Sequence, residues 1–230
     1  MEFTAKEIRD KLRPEYLCYA HFYAIQGIYC RRQLEVIKKE STSSINDDLT
    51  TRTPNATIIM ANPGSAAPED STQIADFKEQ VDFLSYSFDA TKLLQVNDEL
   101  DQTLWRVKEL MDLKNWTHVR VINLSDLRAG NDRTYIVMRG RFHKMSGWDE
   151  NLHSMFSCSR QKELDELLRI NGTAPILFAW GIKNAAQSEF ADKCLNRLKT
   201  VSGQVLGVIK GGSKNKYYHP LAPGWVSNLK

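Results

Sequence analysis

The chain has 230 residues, 42% hydrophobic and 26% charged, a size and balance that exclude a disordered or fibrous protein and suit one sizeable α/β domain or two very small ones. Its 31 basic and 28 acidic residues leave a net charge of +3, which by itself does not point to a polyanionic partner. No apolar run approaches the roughly 20 residues of a membrane span, and the opening MEFTAKEIRD lacks the apolar core of a secretory signal, so a cytoplasmic protein with no membrane partner is expected.

Residues 1–40 read as helix: Ile8, Leu12, Tyr16, Tyr19, Phe22, Tyr23, Leu34 and Ile37 recur at helical spacing, with Pro14 opening a second segment. The polar stretch STSSINDDLTTRTPN (41–55) reads as a linker. A buried strand, ATIIM, then enters the turn Asn62-Pro63-Gly64. Residues 74–114 read as mostly helical, with Leu93, Leu94, Leu100, Leu104, Val107 and Leu110 facing inward. HVRVINLSD (118–126) is a second strand, QKELDELLRI (161–170) an amphipathic helix, APILFAWG (174–181) a third strand and SEFADKCLNRLKTV a helix. QVLGVI (204–209) is a fourth strand, followed by the loop KGGSKNKYYHPLAPGW. Four apolar strands alternating with helices predict a central four-stranded parallel sheet covered on both faces, a three-layer α/β/α domain.

Ligands of such a sheet bind at the carboxyl ends of its strands. Here those ends carry Asn62 to Ser65, Asn123 to Asp126, Trp180-Gly181 and the loop of His219, so two asparagines and a histidine are expected at one rim. The charge is polarised as well. Residues 76–112 hold nine acidic and four basic residues, 120–144 hold six basic and two acidic, and from Lys193 onward seven basic residues meet no acidic one. A protein that sits on a polyanion needs positive potential on one face only.

IIMANPGSAAP resembles the first motif of the uracil-DNA glycosylase superfamily, nearest to its mismatch-specific and single-strand-selective branches, whose motif runs G-x-N-P-G; Met60 stands where that motif has its first glycine. YYHPLAPGW resembles the superfamily's second motif, and VINLSDLRAGND its Asn-ended, base-recognising strand. The same blocks are similar to a bacterial family of unknown function carrying NPS/NPG, NL..LRA and HPL motifs. The resemblance spans about residues 56–225, and divides the chain into an N-terminal helical extension and linker (1–54) and a glycosylase-like domain (55–230).

The resemblance implies a monofunctional DNA N-glycosylase that flips a base from the stack and hydrolyses its glycosidic bond to leave an abasic site. Asn62 would position water, His219 would donate to the departing base and Asn123 would read the base edge. Uracil-specific members place a bulky Tyr just after the first-motif Pro; Gly64, Ser65, Ala66 and Ala67 stand there instead, so a C5-substituted pyrimidine, hydroxymethylated or glucosylated as in some phage DNA, is the expected substrate. Asp70 would hydrogen-bond such a substituent, unless it simply caps the next helix. Phe83 or Phe88 would stack on the base, and Leu221 would fill the gap left in the duplex. Lys210, Lys214, Lys216 and Arg128 would contact phosphates. A monomer acting on single- or double-stranded DNA in antiviral defence or base-excision repair is expected, with no metal and no cofactor.

No P-loop, HExxH or GxSxG occurs, and the four widely spaced cysteines form no zinc-like pair and read as reduced thiols. Two other readings stay open: an N-glycosidase acting on free nucleosides or nucleotides, and a non-catalytic module that binds modified DNA. Only the enzymes need both Asn62 and His219 at one rim.

Overall fold

The computed structural model describes residues 5–39, 49–97, 101–182, 187–199, 201 and 203–229. The chain is a mixed α/β protein built on a central sheet with helices packed against it. After α1 (Ala5–Leu12) come β1 (Tyr16–Ile25), β2 (Ile28–Lys38), β3 (Ala56–Met60), β4 (Ala67–Pro68), β5 (Ala75–Phe77), α2 (Gln80–Ser85) and β6 (Leu93–Asn97). The second half holds α3 (Gln102–Lys114), β7 (His118–Asn123), α4 (Asp132–Phe142), α5 (Gln161–Asn171), β8 (Ile176–Phe178), α6 (Ser188–Leu198) and β9 (Val205–Leu206).

The four strands expected from sequence are there, and they neighbour one another in parallel in the order β7-β3-β8-β9. They do not make up the sheet alone. Among the described residues it has nine strands and mixed directions, continuing from β7 through β2, β1 and β6 to β4, with β5 paired to β1. β2 lies antiparallel to both β1 and β7.

The helical reading of residues 1–40 holds only for Ala5–Leu12. Tyr16–Ile25 and Ile28–Lys38 are instead a long hairpin, turned at Gln26 (φ 47°) and Gly27 (φ 79°), the two successive positive values that a tight two-residue hairpin loop requires. The final seven residues of β1 are all but one buried on both faces of the strand, so their aromatics are nearly continuous and coincide with helical spacing. Such a run cannot be told from a buried helix by periodicity, whereas its Tyr, Phe and Ile content favours a strand. Because β2 pairs with β7, the hairpin belongs to the same sheet as the parallel strands. The helical reading of 74–114 is similarly corrected: Leu93 and Leu94 lie on β6, while Leu104, Val107 and Leu110 are buried on α3. Leu100 and most of the linker, residues 41–48, lie outside the described residues.

β3 shows how the layers form. Ile58 and Met60 face the core that holds Leu104, Val107 and Leu110 of α3, whereas Ile59 faces the core of Leu164 and Leu167 of α5 and Phe190 and Cys194 of α6. A third cluster, around Tyr23, Phe77, Phe83 and Phe142, packs α2 and α4 against the hairpin.

Two buried charge networks fasten the hairpin to the rest. Glu35 on β2 accepts from His118 Nε2 at 2.6 Å and Arg120 Nε at 2.7 Å on β7. Despite complete burial its carboxyl sits down at about 2, because Arg120 and His118 outweigh the desolvation. Asp126, just past β7, accepts from Tyr23 Oη at 2.9 Å and Arg160 Nη1 at 2.5 Å, and Arg160 also grips Glu163 at 2.7 Å. No helix among the described residues is long and apolar enough to cross a membrane.

Candidate functional site

A cleft of about 1110 Å³ opens at the carboxyl ends of β3, β7 and β8. Residues 60–67 after β3 form one wall, Ala129 to Asp132 after β7 another, and Trp180 to Ile182 after β8 a third. The C-terminal loop contributes Tyr218, His219 and Leu221, and the far side is made by Asn97, Arg31 and the first turn of α3. The position is the one a parallel sheet predicts for a ligand.

Asn62 is half-buried, and its Nδ2 donates to the Ala129 carbonyl at 2.6 Å. That bond orients the amide and leaves Oδ1 as its accepting atom. The turn that follows requires Gly64 at φ 67°, a left-handed conformation that costs any other side chain. Ala67 then pairs with Asn97, and the Ser65 carbonyl accepts from Arg128 Nη2 at 3.0 Å, so the loop is tied at two points.

His219 is held from the other side. Its Nδ1 accepts the Leu221 amide at 3.3 Å, which places the proton of the neutral ring on Nε2. Burial lowers its pKa below the ordinary 6.5, with Asp101 acting weakly the other way, so the ring is neutral at pH 7. The loop that carries it is anchored by Tyr217, whose ring packs 4.9 Å from Phe178 and 5.1 Å from Trp180. Gly207 makes that packing feasible, since a Cβ there would lie 2.6 Å from Tyr217 Cδ1.

Asn123 ends β7 in register with Met60, but unlike Met60 it does not line the cleft and lies behind its wall. It is wholly buried, and neither Nδ2 nor Oδ1 has a hydrogen-bond partner. Orphaned buried amide groups cost on the order of 1–3 kcal/mol each, so natural cores rarely keep them without a reason.

The other expected site residues divide. Gly64, Ser65 and Leu221 line the cleft, Leu221 with 47% of its surface exposed. Phe83 and Phe88 do not. They stack with Tyr23, Phe77 and Tyr86 in the aromatic core, Arg160 lying over Phe83 and Arg32 over Phe88. Asp70 is exposed and caps the short turn Ser71–Gln73, accepting from the Thr72 amide at 2.9 Å. Arg128 is partly buried over Phe22 and engaged with Ser65, and so braces the wall of the cleft. Lys210, Lys214 and Lys216 are all exposed on a turn closed by the Lys210 amide and the Lys216 carbonyl at 2.8 Å.

The chain matches no protein-family model, no curated protein and no solved structure. The site therefore rests on its own geometry.

Among the lining residues not singled out from sequence, three carry chemistry of note. Tyr218 is the partly buried aromatic beside His219. Asp101 caps α3, accepting from the Thr103 and Leu104 amides at 2.9 and 3.1 Å, and the pattern Asp-Gln-Thr-Leu ahead of a periodic run could have shown it. Arg31, on β2, is only 2% exposed, and burial pulls its pKa down to about 10. Its Nε and Nη1 have no partner.

Proposed function

We propose that the protein is a DNA glycosylase that hydrolyses the N-glycosidic bond of a C5-substituted pyrimidine and leaves an abasic site, in antiviral defence or base-excision repair. One observation carries the reading: Asn62 and His219, delivered by segments more than 150 residues apart, line one cleft. The resemblance of NPG and HPL to the two glycosylase motifs concerns these same two residues. The parallel set β7-β3-β8-β9 serves as the glycosylase-like kernel, with the hairpin added at its side.

The chemistry asks for little nucleophile activation, because positive charge builds on the sugar before water adds. Asn62 Oδ1 accepts a hydrogen bond from a water and aims its lone pair at C1′. The bond from C1′ to the base nitrogen breaks, and its electron pair leaves with the base. His219, neutral and protonated on Nε2, donates to the pyrimidine O2, where the negative charge collects. The attacking water gives up one proton to solvent, the departing base anion takes one proton from solvent, and the products are a free base and a sugar bearing a hydroxyl. Asn123, in register with Met60 and behind the cleft lining, supplies one donor and one acceptor, both unspent, once the edge of the base displaces that lining. Gly64, Ser65, Ala66 and Ala67 all line the cleft, so the wall beside C5 is made of small residues. Tyr218 is the aromatic placed to stack on the base.

A second reading, hydrolysis of a free nucleotide, is favoured by Arg31, a buried cation on the cleft wall. Oligonucleotides and nucleotides carrying the same modified base separate the two. Alkali-labile strand breaks in the polymer, absent with Asn62→Ala, support the glycosylase. Base release from the nucleotide alone moves the assignment to a nucleotide N-glycosidase, and tight binding without release from either leaves a binding module.

A further inference from the structure

Among the described residues three arginines, Arg31, Arg120 and Arg160, are at least 98% buried, and two of them have carboxylate partners. Arg120 donates to Glu35 and to the Leu49 carbonyl, at 2.7 and 2.8 Å. Arg160 donates to Asp126, Glu163 and the Leu152 carbonyl. Arg31 differs. Among the described residues no carboxylate stands within ion-pair distance of it, and its Nε and Nη1 are unpartnered. It is also the one of the three that lines the cleft. Among the described residues the largest acidic influence on it is Asp101, whose Oδ1 is spent on the first turn of α3.

A buried guanidinium without an adjacent counter-charge is a costly arrangement, and the described residues supply no ion-pair partner. Nε and Nη1 lie on different edges of the planar guanidinium, and each is left to receive an oxygen of a carboxylate or phosphate. Phosphates of a DNA strand running over the surface would meet the exposed Lys210, Lys214 and Lys216. An anion that reaches Arg31 has to enter the cleft with the base.

We propose that Arg31 is the oxyanion-binding group of the cleft, taking a carboxylate or phosphate that the substrate carries in, either on the C5 substituent of its base or as the 5′-phosphate of a nucleotide. This rests on the reading of the cleft as a pyrimidine site, but not on turnover.

Binding alone therefore tests it. By calorimetry in phosphate-free buffer, 5-carboxy-2′-deoxycytidine and deoxycytidine 5′-monophosphate are compared with deoxycytidine, for the unaltered protein, Arg31→Met and Arg31→Gln. At least one anionic ligand is expected to bind about tenfold or more tighter than the neutral nucleoside, as charge-assisted bonds imply, and the preference is expected to vanish in both variants. Which ligand shows it identifies the source of the oxyanion. Arg31→Met is expected to melt no lower than the parent, because it removes an unpaired buried charge; Arg31→Gln stands in should the methionine variant fail to fold. No preference in the unaltered protein, or a preference that survives in a folded variant, overturns the proposal. Base release is not read, so loss of the glycosylase reading and loss of this one are separate results.

Discussion

The side-chain amide of Asn62 donates to the carbonyl of Ala129 at 2.6 Å, a bond between the segment after β3 and the segment after β7. It commits the nitrogen of the amide and so assigns the oxygen to the ligand side of the chemistry. Asn62→Asp removes the donor and sets a carboxylate against a carbonyl, and Asn62→Ala removes the amide entirely. Both are expected to lower base release by about 100-fold or more, the scale of a positioned catalytic group, while the melting temperature moves by only a few degrees. Single-turnover excision and thermal denaturation on the same preparations check it.

In the proposed reaction His219 acts in its neutral form, and burial holds its pKa below 6.5. Protonation therefore sets in only at acid pH. The excision rate is expected to be flat from neutral pH upward and to fall below pH 6.5, where the ring gains its second proton and leaves the Leu221 amide. His219→Gln, which keeps a donor without the titration, is expected to be slower and to lose the acid limb. A pH–rate profile of both proteins measures this.

Asn123 is wholly buried with both amide atoms unpartnered. Asn123→Leu, of similar volume, removes two orphaned polar groups, so stability is expected to hold or rise by about 1–3 kcal/mol in urea unfolding. Discrimination between modified cytosine and thymine is expected to disappear together with affinity for the base. A stable variant with unchanged base preference removes Asn123 from recognition.

Acid stability carries a separate signature. His21 and His153 are buried neutral, pushed by desolvation to about 4 and about 3. Once unfolded, both bind protons below about 6.5, so the unfolded chain takes up more protons and stability falls as pH drops from 6.5 toward 4. Glu35, held at about 2, adds a second loss as pH falls from 4.5 toward 2. Glu35→Gln is expected to cost about 3–5 kcal/mol at pH 7 by stranding Arg120, and to flatten the lower part of the curve. Urea midpoints between pH 3 and pH 8 test both statements.

The strand ends of the parallel set were legible because short apolar runs closed by Asn-Pro-Gly, Asn-Leu-Ser and Trp-Gly mark both a buried strand and its exit. Asn62, Gly64 and Ser65 inherit their places from that rule, while His219 and Leu221 come from the loop after the last strand, singled out by its resemblance to the second glycosylase motif. The hairpin was not legible. Burial on both faces erased the alternation that reveals a strand, and with it went any view of Arg31, whose place in the cleft depends on β2 pairing with β7, more than 80 residues away. Phe83 and Phe88 show the complementary limit. An aromatic near the site in sequence is sent to core or cleft by the side of the sheet it lands on, and the turn after β5 sends both to the core.

Glycosidic hydrolysis at the cleft of Asn62 and His219 would release small molecules from DNA, and mass spectrometry detects them. Duplex and single-stranded DNAs carrying cytosine, uracil, 5-hydroxymethylcytosine or its glucosylated form are incubated with excess protein. Free C5-substituted base is expected in the filtrate, matched by an equal number of alkali-labile sites, and none from Asn62→Ala. Intact modified DNA recovered after prolonged incubation, with the protein still bound to it, would rule out hydrolysis at this cleft.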